Sequence, residues 1–149
     1  MNKLTIILLV VATAMAVSCK KDGFEKNATT ATLKHEGFDF SANSTSGSID
    51  GEVISWYPGS GSNPNYSSGA WWRNDQGGVN NEQAHLGAVD PESITSIPSS
   101  WDDPIDPLLP DHVYIFKCID GYALVKVLSV NATDMSAEVE YVFSSNGEF

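Results

Sequence analysis

The chain has three histidines, His35, His85 and His112, the residue type from which haem, zinc or proton-transfer sites are most often built. They stand singly and far apart, so only the fold could bring two together, and each alone reads as a partly exposed strand residue. Asp102, Asp103, Asp106 and Asp111 lie among Pro104, Pro107 and Pro110. Carboxylates on a rigid extended loop can chelate calcium, but the central Gly and terminal Glu of a calcium loop are missing, and solvated turn residues account for the group. No metal centre is therefore expected. Trp56, Tyr57, Tyr66, Trp71 and Trp72 fall within 17 residues and flank the polar run PGSGSNPNYSSG. Neighbours on a strand point to opposite faces, so Trp71 and Trp72 can both be core only if both faces are covered. If one face is wet, Trp56, Tyr57, Trp71 and Trp72 form a platform for stacking sugars or holding an apolar ligand.

Nothing in the chain supplies catalytic machinery. Gly-x-Ser-x-Gly, His-Glu-x-x-His, a phosphate-cradling glycine loop and Cys-x-x-Cys are all absent. Nineteen acidic residues offer many carboxylate pairs and nothing that selects one. A non-enzymatic role is expected.

The N-terminus has the parts of an export signal in order. Lys3 is the positive region, Leu4 to Val17 is apolar and then small, and Ser18-Cys19 follows. The apolar stretch is shorter than the roughly 20 residues needed to cross a bilayer, which favours targeting over a spanning helix. Ala16-Val17-Ser18-Cys19 resembles the lipobox of bacterial lipoproteins. The resemblance implies removal of residues 1–18, lipid on the Cys19 thiol and amino group, and membrane attachment through acyl chains. Cys19-Lys20-Lys21-Asp22 resembles the start of Bacteroidetes lipoproteins, which implies the outer membrane and favours exposure at the cell surface over retention on its inner leaflet.

Without its signal the chain has 131 residues, enough for one domain with one core. Losing Lys3 leaves seven basic against nineteen acidic residues, a net charge of −12. Such a balance disfavours nucleic acid, whose phosphates require Lys and Arg to displace counterions. With Cys19 lipidated, Cys118 has no partner for an intrachain disulfide and reads as a small buried hydrophobe.

These residues must be positioned by strands. Residues 19–30 (CKKDGFEKNATT) read as a lipidated Cys and flexible tether, and 31–149 as a single all-β domain, best drawn as an antiparallel β-sandwich. Its firmest part is a C-terminal three-stranded meander: His112 to Ile119, an Asp120-Gly121 turn of type I′, Tyr122 to Val130, a turn at Asn131–Asp134, and Ser136 to Ser144. Ala137, Val139, Tyr141 and Phe143 share one face of the last strand, and Glu138 and Glu140 share a wet one. The middle strand is apolar on both faces except at Lys126 and Ser129, so it should lie centrally. Shorter strands are expected at 31–35, 38–41, 49–57, 70–73 and 85–89, with one helical turn near Pro91-Glu92-Ser93. Prolines at 91, 98, 104, 107 and 110 rule out a central strand between residues 90 and 111.

The run Pro110 to Phe116, then Asp120 to Val130, then Val139 to Phe143, resembles the HmuY-type lipoproteins of Bacteroidetes, and Gly37-Phe38-Asp39-Phe40-Ser41 resembles an element that opens many small lipoproteins of that phylum. The resemblance implies a β-rich fold and, as a cofactor, haem held between two histidines. No ligand residue of this chain is carried over. The expected function is a membrane-anchored module binding a small ligand or an envelope protein. The alternatives are an accessory component of an envelope complex and a glycan-binding surface lipoprotein.

Overall fold

A computed structural model describes residues 24, 27–34, 37–45, 53–57, 70–73, 82–101 and 108–149; for 53–57 and 70–73 the description is of the backbone. The fold is all-β. The strands are β1 (Thr29–Leu33), β2 (Phe38–Asp39), β3 (Val53–Tyr57), β4 (Ala70–Arg73), β5 (Gln83–Gly87), β6 (Val113–Lys117), β7 (Tyr122–Asn131) and β8 (Ser136–Ser144), with a 3-10 turn at Pro91–Ser93. They form an antiparallel five-stranded sheet, β1-β8-β7-β6-β5, and a three-stranded sheet, β2-β3-β4.

The meander forms as its alternation requires, with β7 at the centre of the larger sheet. Ala123, Val125 and Val127 are buried on one face, while Leu124 and Lys126 are buried on the other. A strand that is apolar on both sides has to be covered on both sides. One core gathers Leu33, Phe38, Phe40, Leu108, Tyr114, Phe116, Val125 and Tyr141. The second gathers Ala84, Val113, Ile115 and Leu124 beneath Phe24, Leu86, Ile94, Trp101, Tyr122 and Phe149. The face of β8 expected to be wet is thus partly covered: Glu140 is half-buried, and its carboxylate accepts the Phe24 N–H at 3.3 Å. The cover is a strap over residues 91–101, tied to the C-terminus where Ile97 N–H donates to Gly147 O and Phe149 N–H to Thr95 O. β1 opens at Thr29, two residues inside the stretch read as tether.

The turns differ from the sequence expectation. Neither Asp120 nor Gly121 has the positive φ that a type I′ turn demands. β6 stops at Lys117, so four residues connect it to β7, and Cys118 N–H donates to Gly121 O at 2.8 Å. Gly121 is needed for space: a Cβ there would lie 2.5 Å from Ser144 O and 2.9 Å from Ser145 Cα. The Asn131 turn does form, with Asn131 Oδ1 accepting Thr133 N–H and Met135 at φ 53°. The Phe38 to Ser41 strand shortens to Phe38–Asp39, because the chain turns immediately and Asp39 bridges back to Ser44.

That turn seats aromatics on the first core. Phe40 meets Tyr141 edge-on at 5.0 Å between ring centres and stacks on Phe116 at 5.9 Å. The Tyr141 hydroxyl donates toward Phe40 O (3.2 Å) and Asn43 Oδ1 (3.0 Å). Burial raises the Tyr141 pKa above its ordinary value; Thr29 opposes the shift through a hydrogen bond, and the Asp39 charge adds to it. The folded chain therefore keeps a proton that the unfolded chain releases near pH ~10, and stability falls as pH rises from there through the folded value.

Two outcomes follow. Gly121→Ala should cost about 1–3 kcal/mol, read as a lower urea midpoint, because backbone of Ser144 and Ser145, as well as the Phe143 ring, blocks the methyl group. Tyr141→Phe should cost about 1 kcal/mol at pH 7. It should also have a shallower loss of stability between pH 9 and 11 than the parent; an unchanged slope there would remove Tyr141 as its source.

Candidate functional site

The residues singled out by sequence divide three ways. Cys19, His35, Tyr66, Asp102, Asp103 and Asp106 lie outside the described residues. Trp56, Tyr57, Trp71 and Trp72 fall in strands as expected. Their register sets Trp56 opposite Trp71, flanked by the pairs Ser55–Trp72 and Tyr57–Ala70. Asp111 is exposed, at φ 64°, and its N–H donates to Val127 O at 2.9 Å, so its role is to form the turn into β6. Among the described residues, no group of three or more His, Cys, Asp or Glu could hold a metal ion.

His85 and His112, read from sequence as solitary, are brought together by β5 and β6. Thr29, Tyr141, Val125, Tyr114 and His85 form one row across all five strands, on the face of the first core. His112 precedes β6 in the adjoining row, where its carbonyl accepts the Val127 N–H at 3.0 Å and its N–H donates to Leu109 O at 3.2 Å. At that level β5 has a bulge between His85 and Gly87, and Gly87 has φ +81°, with nothing within 4 Å of where a Cβ would stand. Bulges re-aim neighbouring side chains. The result is a contact of 2.7 Å between His85 Nε2 and His112 Nδ1. The ring centres are 5.0 Å apart, which is that contact plus the two ring radii, so the imidazoles meet head to head through their nitrogens. Tyr114 lies flat against His85 at 4.6 Å and 6°. The Tyr114 hydroxyl is fixed in turn by the Leu109 N–H at 3.0 Å.

The second feature is a cavity of about 320 Å³ on the opposite face of the sheet. Phe24, Pro91, Ile94, Leu124, Val142 and Phe149 form its apolar wall, and Asn27 and Glu92 are its polar members. Asp90 caps the 3-10 turn by accepting the Glu92 N–H, which places Pro91 inward and Glu92 at the exposed edge. Sequence reasoning missed this site. Its walls come from both ends of the chain and from a proline-rich segment without periodicity. The available signal was isolated apolar residues (Phe24, Ile94, Phe149) in otherwise polar stretches.

The haem implied by family resemblance can be tested against the histidine pair. Two axial imidazoles need nitrogens about 4 Å apart, twice an ordinary metal–imidazole bond, with a broad macrocycle between them. Here the nitrogens touch, and the rings come from neighbouring strands, which lie only about 4.8 Å apart. His85 is also packed against Tyr114. The pair does not fit a haem.

Comparison with family models, curated proteins and solved structures finds no match to this chain. On the geometry above, any Soret shift seen on adding haem should persist in the His85→Gln and His112→Gln variants. A shift abolished by both would show that the pair opens far enough to clamp the iron.

Proposed function

We propose that this chain is a non-enzymatic, lipid-anchored envelope lipoprotein that holds a small apolar molecule, neutral or cationic, in the cavity beneath the 91–101 strap. The cavity carries the reading. About 320 Å³ lies at the lower end of the range of small-ligand sites, and an apolar wall with a few polar groups is their usual chemistry. Glu92 at its edge and a net charge of −12 on the mature chain disfavour anions.

Anchoring through Cys19 would add a second argument. Phe24 is the fifth residue after Cys19, so the cavity wall lies within about 18 Å of the acylated residue along even a fully extended chain. A ligand that partitions into the membrane surface would be released or collected close to the site. Mass-spectrometric detection of diacylglyceryl Cys19 would support the anchor, and a mature N-terminus elsewhere would remove it.

The cavity is tested with a neutral fluorescent amphiphile, N-phenyl-1-naphthylamine. Its emission should rise with saturable binding to the parent chain. Val142→Trp, which places an indole in the cavity, should weaken binding at least tenfold while leaving the urea midpoint close to that of the parent. Equal binding by both proteins would place the probe elsewhere and end the proposal.

A further inference from the structure

The cavity beneath the strap is lined partly by the sheet and partly by two segments whose backbones are fastened to each other. On the reading of that cavity as a binding site, we propose that residues 94–97 and 147–149 form one hinged flap. It opens to admit the ligand and closes over it.

The fixed part of the wall is Leu124 and Val142, which stand opposite each other in the β7–β8 ladder. Ile94 and Phe149 line the same cavity from outside the sheet. Their segments meet in a short antiparallel clasp. Ile97 N–H donates to Gly147 O and Phe149 N–H to Thr95 O, both at 3.1 Å, on either side of the pair Ser96–Glu148. Among the described residues, no backbone–backbone bond ties residues 95–101 or 147–149 to a strand of the sheet. Segments with few such bonds are the ones that open locally while the core stays folded.

Both segments have a hinge where they leave firmer structure. In the strap it is the 3-10 turn, where Asp90 accepts the Glu92 N–H and the Ile94 N–H closes on Pro91 O. In the other segment it is the end of β8, where Ser144 Oγ accepts the Gly147 N–H at 3.0 Å. Beyond the first hinge Ile94 is extended, at φ −91° and ψ 116°, and Ile97 precedes Pro98, which also favours extended backbone. Residues 94–97 therefore move as a stiff piece, and the clasp carries Phe149 with them. Gly147 permits the clasp, since it has φ +78° and a Cβ there would lie 2.6 Å from Ile97 Cγ2.

Occupancy favours the closed form. A molecule filling the cavity touches Ile94 and Phe149 only when the flap is down, so its binding shifts the population toward closure.

Ser96 and Glu148 are exposed and form an antiparallel pair flanked by the two clasp bonds, the closer type, with Cα atoms about 4.5 Å apart. That separation lies within the range a disulfide spans. In the full chain, Ser96→Cys combined with Glu148→Cys should therefore pair on oxidation. Stopped-flow mixing with N-phenyl-1-naphthylamine then reads the flap. In the oxidised variant, association and release should each slow at least tenfold, and reduction should restore the rates of the parent. The single-cysteine variants, which keep Cys19 and Cys118, should match the parent in either state. Gly147→Ala, which pushes Ile97 away, should act in the opposite direction and speed release at least threefold. Saturable binding with the same rates in the oxidised variant and the parent would overturn the flap alone. Cysteines that fail to pair in the folded chain would overturn the clasp on which it depends. Absence of saturable binding in the parent would end the reading of the cavity, and the flap with it.

Discussion

The requirement that β7 be covered on both faces organises the rest of the molecule. Ala123, Val125 and Val127 alternate with Leu124 and Lys126, and all are buried. At about 25 cal/mol for each Å² of apolar surface, leaving either side of a central strand in water would forfeit several kcal/mol, a large share of what holds a domain of this size together. The two covers are built differently. On the first face the chain turns sharply after β2, and Phe38 and Phe40 drop onto Tyr141 and Phe116. On the second face the described residues supply a strap with Pro91, Ile94, Pro98 and Trp101, the C-terminal Phe149 and the incoming Phe24.

That difference explains where the two candidate sites lie. Interlocked aromatic rings cover the first face, and a polar contact lies at the end of its row, where β5 bulges and His85 meets His112. The strap cannot pack as tightly. Proline removes backbone donors, and here the strap is fastened by a few bonds to residues 147–149, so side chains bridge the distance and leave a cavity between them. Gly147 shows how close the fastening is, since a Cβ there would lie 2.6 Å from Ile97 Cγ2.

Much of the fold was legible because alternation is a local signal. Ser136 to Ser144 gave its bounds and its inward face from sequence alone, with Ala137, Val139 and Tyr141 buried and Phe143 partly so, and Pro91–Ser93 gave its turn. Periodicity does not say what covers the second face. Glu138 and Glu140 look equally wet by pattern, yet only Glu138 is exposed, because Phe24, 116 residues away in sequence, lies against Glu140. The Asp-Gly dipeptide at 120–121 illustrates a related limit. It marks a turn, but the glycine satisfies a lack of space beside Ser144 rather than a left-handed backbone, and only the tertiary neighbours reveal that.

The histidines were legible as residues and illegible as a pair for the same reason. His85 and His112 lie 27 residues apart, and their meeting depends on two features with faint sequence signatures. The first is the register that aligns His85 with Tyr114 across the β5–β6 ladder; the second is the bulge before Gly87. Without that bulge a regular β5 would run on alongside His112, and the next residue on this face would stand where His112 now turns toward His85. An isolated glycine inside a strand pattern signals a bulge or a close backbone approach. Gly87, two residues after His85, is therefore the sequence feature from which an edge rearrangement, and with it a polar contact at the end of an apolar row, could be argued.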